Sequence, residues 1–231
     1  MATQAAERTA QEVTNDDDKQ IDADQPAYHG GNSMAAVDRS KQDRVLDWGG
    51  FPGRWEIMRS TADTGGELLE MRFEIEDVPD EGPFVHTHPH AEERYEVVSG
   101  VLEVYAEGEW MELTVGEEHT VPPGTAHTFR NTTPVEIVNV HEPALQHEAF
   151  FRRFHQLVTE RDVSLPPEEF TDILQIAMLT TEHEEDIYAV SPPHWVFKAL
   201  TVLGRVFGYR LPDSQTIQVS RTSDSPESRT Q

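Results

Sequence analysis

The chain contains no cysteine, which excludes disulfides, thiolate metal ligands and a cysteine nucleophile together. It is nearly as poor in lysine: Lys19, Lys41 and Lys198 are the only three, and every other basic residue is an arginine. Basic residues number 18 against 43 acidic ones, a formal net charge of -25. Such a surface repels nucleic acid and anionic lipid, so neither a nucleic-acid partner nor stable membrane insertion is expected. No run reaches the roughly 18 apolar residues of a membrane span. The opening "MATQAAERTAQEV" has neither the basic region nor the apolar stretch of a signal peptide, so a cytoplasmic location is expected.

What is present divides into unlike parts, and 231 residues are enough to bury a real core. Residues 1–44 are rich in Asp, Gln, Ala, Thr and Ser and carry the acidic run "NDDDKQIDAD". That composition cannot repay the entropy of ordering, so the segment reads as a disordered acidic leader. Residues 212–231, "PDSQTIQVSRTSDSPESRTQ", read as a disordered tail for the same reason. Residues 45–142 show period-two patterning broken by Gly and Pro: "RWEIMRS", "ELLEMRFEI", "RYEVV", "VLEVY", "WMELTV", "HTVPPGTAHTFRN" and "VEIVNV". Short alternating strands separated by turn residues predict a mainly β domain, a small antiparallel barrel or jelly roll.

The period changes at about residue 143, and residues 143–211 read as a helical extension packed on the barrel or across a dimer. "HEAFFRRFHQLVTER" places Phe150, Phe151, Phe154, Leu157 and Val158 on one helix face. "PPEEFTDILQIAMLTTEHEED" opens with the prolines and glutamates of a helix start and stripes Phe170, Ile173, Leu174 and Ala177. Residues 192–210 are apolar nearly all round, with Trp195, Val202, Val206 and Phe207 among them. That face is expected against the barrel, in a homodimer or at a membrane interface.

The stretch that carries chemistry is "HTHPHAEERYEVVSG". His86 and His88 stand one residue apart, so on a strand their side chains leave the same face. Four residues intervene before Glu93, and six more before Gly100. Two imidazoles and a carboxylate converging from neighbouring strands suit a borderline divalent metal. Downstream, "GEEHTVPPGTAHTFRN" sets Gly116, Pro122, Gly124, His127 and Asn131 in the order G-x5-P-x-G-x2-H-x3-N. The two glycines and the proline alone would match by chance at about 2 in 10,000 starting positions.

Together these segments resemble the two motifs of the cupin superfamily. The resemblance covers roughly residues 45–142 and implies a β-barrel holding one divalent metal through His86, His88, Glu93 and His127. It departs from the family in one place: Gly82 is separated from His86 by three residues, where the first motif often has five. His90 shares the parity of His86 and His88, but Pro89 is expected to turn it away. His141 is read as a strand-end residue, and His147, His155 and His183 as solvated residues on or beside helices. Residues in phase with the ligands, Phe84, Tyr95, Val97 and Phe129, are expected either to line an apolar small-molecule pocket or to be plain core.

Four protein ligands on a six-coordinate ion leave two positions for a substrate, or for a substrate and dioxygen. Many members of the superfamily are dioxygenases of enols, phenols or diketones; others are isomerases or decarboxylases, and some only bind. The resemblance therefore implies a mononuclear metal-dependent oxygenase, with a non-catalytic metal- and ligand-binding protein as the alternative. The implied ion is Fe or Mn, with Zn, Ni or Co as substitutes. The acid-rich, lysine-poor composition is also similar to that of proteins from halophilic microorganisms, whose high internal salt screens carboxylate repulsion.

Overall fold

A computed structural model describes residues 44–76 and 82–212. The segments read as leader and tail lie outside the described residues, except for Arg44 and Pro212. Eleven strands and three helices follow in order: β1 (Val45–Asp47), β2 (Arg54–Arg59), β3 (Leu69–Ile75), β4 (His86–Thr87), β5 (Glu92–Ser99), β6 (Leu102–Ala106), β7 (Glu109–Leu113), β8 (Glu118–Val121), β9 (His127–Asn131) and β10 (Val135–Glu142). Then come α1 (His147–Arg161), α2 (Phe170–Glu182), β11 (Tyr188–Ala189) and α3 (His194–Val206).

The strands form two antiparallel sheets, β1-β2-β3-β10-β5-β8 and β11-β4-β9-β6-β7. This is the mainly β architecture expected, but backbone hydrogen bonds do not join the two sheets into a closed barrel. Period two decides which side chains enter the core. On β3, Leu69, Met71, Phe73 and Ile75 are buried, while Glu70, Arg72 and Glu74 between them are only half-buried. β5 obeys the same rule with a carboxylate in the series: Glu93, Tyr95 and Val97 point inward, Glu92 outward. Trp55 stacks on Phe73 at 3.8 Å between ring centroids and meets Phe151 of α1 edge-on at 5.3 Å. Burying each such side chain contributes about 1.5–3 kcal/mol.

The helical extension is woven into the sheets. β11 pairs with β4, setting Ala189 opposite His86, and α1 adds Phe150, Phe151 and Leu157 to the core. On α2 the expected stripe is only half right: Leu174 and Ala177 are buried, joined by Met178 and Leu179, whereas Phe170 and Ile173 are exposed. The reason is α3, which packs on α2 through its small residues. The hydroxyl of Thr201 donates to the Ala177 carbonyl at 3.0 Å, and a Cβ added at Gly204 would fall 2.6 Å from Met178 Sδ. Close approach through Thr201 and Gly204 leaves the large side chains of α3 on its outer face. Trp195, Val202, Val206 and Phe207 are 60–74% exposed in the single chain.

Candidate metal centre

Both sheets contribute to one cluster. His86 on β4 lies directly opposite His127 on β9, and His88 follows β4 by one residue. Glu93 enters from β5 of the facing sheet. One ligand atom from each of His86, His88, Glu93 and His127 lies within 4.8 Å of the others, and all four residues are buried. His127 thus reaches the site across the long sequence gap that its motif implied. His90 is exposed and bonds to Glu185 at 3.1 Å, turned away at Pro89 as expected.

The orientation of each ring has a local cause. The Nδ1 of His86 meets the Phe84 carbonyl at 2.9 Å, and that of His127 meets the Thr125 carbonyl at 2.8 Å, each two residues back. The Nδ1 of His88 reaches across the fold to the Asp186 carbonyl at 2.8 Å. A carbonyl accepts, so each ring carries a proton on Nδ1 and turns its Nε2 inward, the orientation a metal requires. His88 Nε2 is 3.2 Å from Glu93 Oε2, yet it is buried without a hydrogen bond. Orphaned Nε2, three oriented imidazoles and one carboxylate fit a divalent cation.

The electrostatics agree. Burial alone would push the Glu93 carboxyl up, but the neighbouring His141, His127 and His88 outweigh it and hold Glu93 well below the usual carboxylate range. Glu93 Oε1 accepts from Asn139 Nδ2 at 2.8 Å, and Oε2 accepts from His127 Nε2 at 2.7 Å. Burial pushes His127 down, yet the hydrogen bond and charge of Glu93 prevail and raise it above its ordinary value. The 2.7 Å contact between His127 Nε2 and Glu93 Oε2 spans the position that a cation would take. Desolvation, with His127 and His88 facing it, pushes His86 well below its ordinary value.

The residues in phase with the ligands lie beside this cluster. Tyr95, Val97 and Phe129 do face inward, but they belong to the packed core, and Phe84 is 40% exposed beside His86. The wall is instead rich in imidazole. His141 and His147, read from sequence as strand-end and solvated residues, are both fully buried. His141 Nε2 is 3.5 Å from Glu93 Oε1, and His147 Nε2 is 2.9 Å from His88 Nδ1. His183 is also buried, hydrogen-bonded through Nδ1 to Asp186 Oδ2 at 3.0 Å, so the solvated reading fails for it too. His88, His141 and His147 form a second group of converging ligand atoms, but it has no carboxylate to offset a cation's charge. Both ring nitrogens of His141 and the Tyr95 hydroxyl have no hydrogen-bond partner among the described residues.

The signal for His141 was present: Val135, Ile137, Asn139 and His141 form one phase of β10 and all are buried. His147 and Asp186 enter from the helical extension, where no strand parity applies.

The family model of the cupin domain matches residues 73–141, from within β3 to the last buried residue of β10. Residues 73–141 are a cupin domain. The match contains all four clustered residues and leaves β1, β2 and the helical extension outside it. No curated protein matches the chain. Among solved structures, KdgF from a Halomonas species is 21% identical over 41% of this chain and 83% of its own, with a TM-score of 0.36. An RmlC-like cupin from Shewanella frigidimarina is 24% identical over 41% and 79%, at 0.35. Pac13 from Streptomyces, a nucleoside dehydratase, is 22% identical over 41% and 72%, at 0.34.

Proposed function

We propose that this cupin domain binds one divalent metal ion through His86, His88, Glu93 and His127 and acts as a mononuclear oxygenase on a small enolic, phenolic or diketone-like compound. The observation that carries the metal reading is the buried His88 Nε2, which has no hydrogen-bond partner although it lies 3.2 Å from a carboxylate oxygen. A bound Fe or Mn would supply a Lewis acid and a one-electron redox couple, and Zn, Ni or Co would fit the same donor set. Glu93 provides the one anionic ligand, oriented by Asn139. Tyr95, whose phenol burial keeps protonated, and His141 bring unused polar atoms to the same interior, where substrate oxygens would need partners. Phe84, exposed beside His86, is suited to the mouth, and Val97 and Phe129 to the apolar floor.

One observation favours a second reading. Each of the four ligand residues is at most 6% exposed, and enclosed metal sites are more often structural than catalytic. On that reading the protein binds a metal and a small ligand without turnover; an isomerase or decarboxylase would need the same access as an oxygenase. Oxygen consumption by Fe(II)-loaded protein with a panel of enols, catechols and β-diketones separates them. Substrate-dependent uptake that is lost in Glu93→Gln supports the oxygenase. Stoichiometric metal without uptake on any compound supports the binder.

Two readings from composition complete the proposal. The acid excess suits a high-salt cytoplasm, and no helix among the described residues is long and apolar enough to cross a membrane. The exposed outer face of α3 suits a homodimer.

A further inference from the structure

Away from the metal cluster, a cleft of about 370 Å³ opens where α1, α2 and α3 meet residues 209–212. That is the lower end of the range for small-molecule sites. Three arginines, Arg153, Arg205 and Arg210, line it, against the single carboxylate of Glu182. In a chain of charge -25 with only 18 basic residues, this concentration of cations needs a reason.

The bland explanation covers only part of it. Arg205 lies in the last turn of α3, where a cation offsets the helix dipole. Arg210 lies beyond the helix and gains nothing from that. Neither Arg205 nor Arg210 forms a salt bridge among the described residues, and both are exposed. Arg153 is different: it is 5% exposed and held in place, its Nη1 donating to Glu182 Oε1 at 2.8 Å and its Nε to the Pro212 carbonyl at 3.2 Å. One fixed guanidinium and two exposed arginines, of which Arg205 also acts on the Glu182 charge, stand beside Met178 and Tyr209 and make a site for charge and an apolar body together.

Arg153 also begins a chain of hydrogen bonds. Its Nη1 lies 3.2 Å from His183 Nε2. His183 Nδ1 donates to Asp186 Oδ2 at 3.0 Å, and the Asp186 carbonyl accepts from His88 Nδ1 at 2.8 Å. Asp186 is fixed from a third side by the Gln146 amide at 3.1 Å. Donor and acceptor roles are consistent along the whole path with a neutral His183.

We propose that the cleft lined by Arg153, Arg205 and Arg210 binds a small organic dianion carrying an apolar ring or chain, and that its occupancy is passed through His183 and Asp186 to His88. The coupling rests on the metal reading above; the anion site does not. An anion drawn to Arg153 competes with Glu182 and His183 for its donors, and Asp186 is the shared support of His183 and His88.

The test uses the full chain and phenyl phosphate, with inorganic phosphate and benzyl alcohol as controls for charge and ring. Calorimetry on metal-free protein should give saturable 1:1 binding of phenyl phosphate, weaker binding of inorganic phosphate and none of benzyl alcohol. The double variant Arg205→Gln, Arg210→Gln alters only exposed side chains and should melt like the parent while losing at least about tenfold in affinity. No saturable binding, or binding undiminished in the double variant, overturns the site. For the coupling, Co(II) affinity is measured by chelator competition with and without phenyl phosphate. A shift of about fivefold or more is expected, and it should be absent in the double variant. Unchanged Co(II) affinity, or a shift that persists in the double variant and so reports direct contact with the ion, overturns the coupling. Phenyl phosphate binding without any Co(II) uptake overturns the metal reading and the coupling, and supports the anion site.

Discussion

Asn139→Leu tests whether the carboxylate is oriented by its surroundings or merely confined. Asn139 is fully buried on β10, opposite Tyr95 on β5, and donates its amide to Glu93 Oε1 at 2.8 Å. His141 Nε2 is 3.5 Å from the same oxygen and makes no hydrogen bond. Leucine nearly conserves volume and removes the donor. A hydrogen bond to a charged group contributes about 1.5–3 kcal/mol net, which is about 10- to 150-fold if expressed wholly in metal affinity. A loss of about 30-fold is expected, within the range seen when a partner of a metal ligand is removed. The cost to the metal-free fold should be smaller, because leucine also removes Asn139 Oδ1, itself buried without a partner. Chelator competition with Co(II) or Mn(II) gives the affinity, and melting with and without metal gives the stability. At equal free metal, a 30-fold weaker site forfeits about 2 kcal/mol of metal-dependent stabilisation. Affinity within about twofold of the parent, with or without a fall in melting temperature, would refute the claim that Asn139 positions Glu93.

His86→Ala and His127→Ala should each reduce bound metal by at least about tenfold, Glu93→Gln should weaken binding and shift preference towards softer ions, and His90→Ala should change neither; metal analysis after dialysis reads all four. In metal-free protein, burial holds His86, His141 and His147 below their ordinary value while His127 lies above it. A depressed histidine makes the folded state bind fewer protons than the unfolded one, so stability falls as pH drops through the ordinary value; the raised His127 acts in the opposite sense. Three against one predicts a net loss below about pH 6.5, with each histidine contributing up to about 1.4 kcal/mol per pH unit, and a flat urea midpoint from about pH 7 to 5.5 would contradict it. Melting temperature should rise as KCl is taken from dilute buffer into the molar range, since screening relieves a charge of -25; a flat or falling curve removes the halophile reading. Deleting residues 192–231 strips α3 from Leu174 and Met178, and should bring aggregation or dissociation in light scattering, whereas a truncated chain of unchanged size and stability would contradict that.

What could be read from the residues alone follows the physics that placed them. Glu93 was legible because two constraints agree on it: the motif spacing, and a strand parity that sends Glu93, Tyr95 and Val97 inward together. His127 was legible from its motif, and the fold then sets it directly opposite His86. Asn139 and His141 obeyed the same parity, but a polar residue in a buried phase carries no meaning until its partner across the sheet is known. Here that partner strand is β5, which presents Glu93 opposite His141. Gly82 looked like a departure from motif spacing; the fold gives it a local reason, since a Cβ there would collide with the Phe129 carbonyl on β9. The helical stripes failed at Phe170 and Ile173 because small residues on α3 determined which face of α2 was covered. The contribution of the extension was the least legible of all, because it reaches the cluster through His147, where no strand parity applies, and through a main-chain carbonyl. The oxygen of Asp186 that fixes the tautomer of His88 would be supplied by any residue at that position, so side-chain identity there encodes the links to His183 and to the Gln146 backbone amide. It follows that replacing the Asp186 side chain should spare the tautomer and disturb the support behind it, whereas moving the backbone between α2 and β11 should disturb the ligand itself.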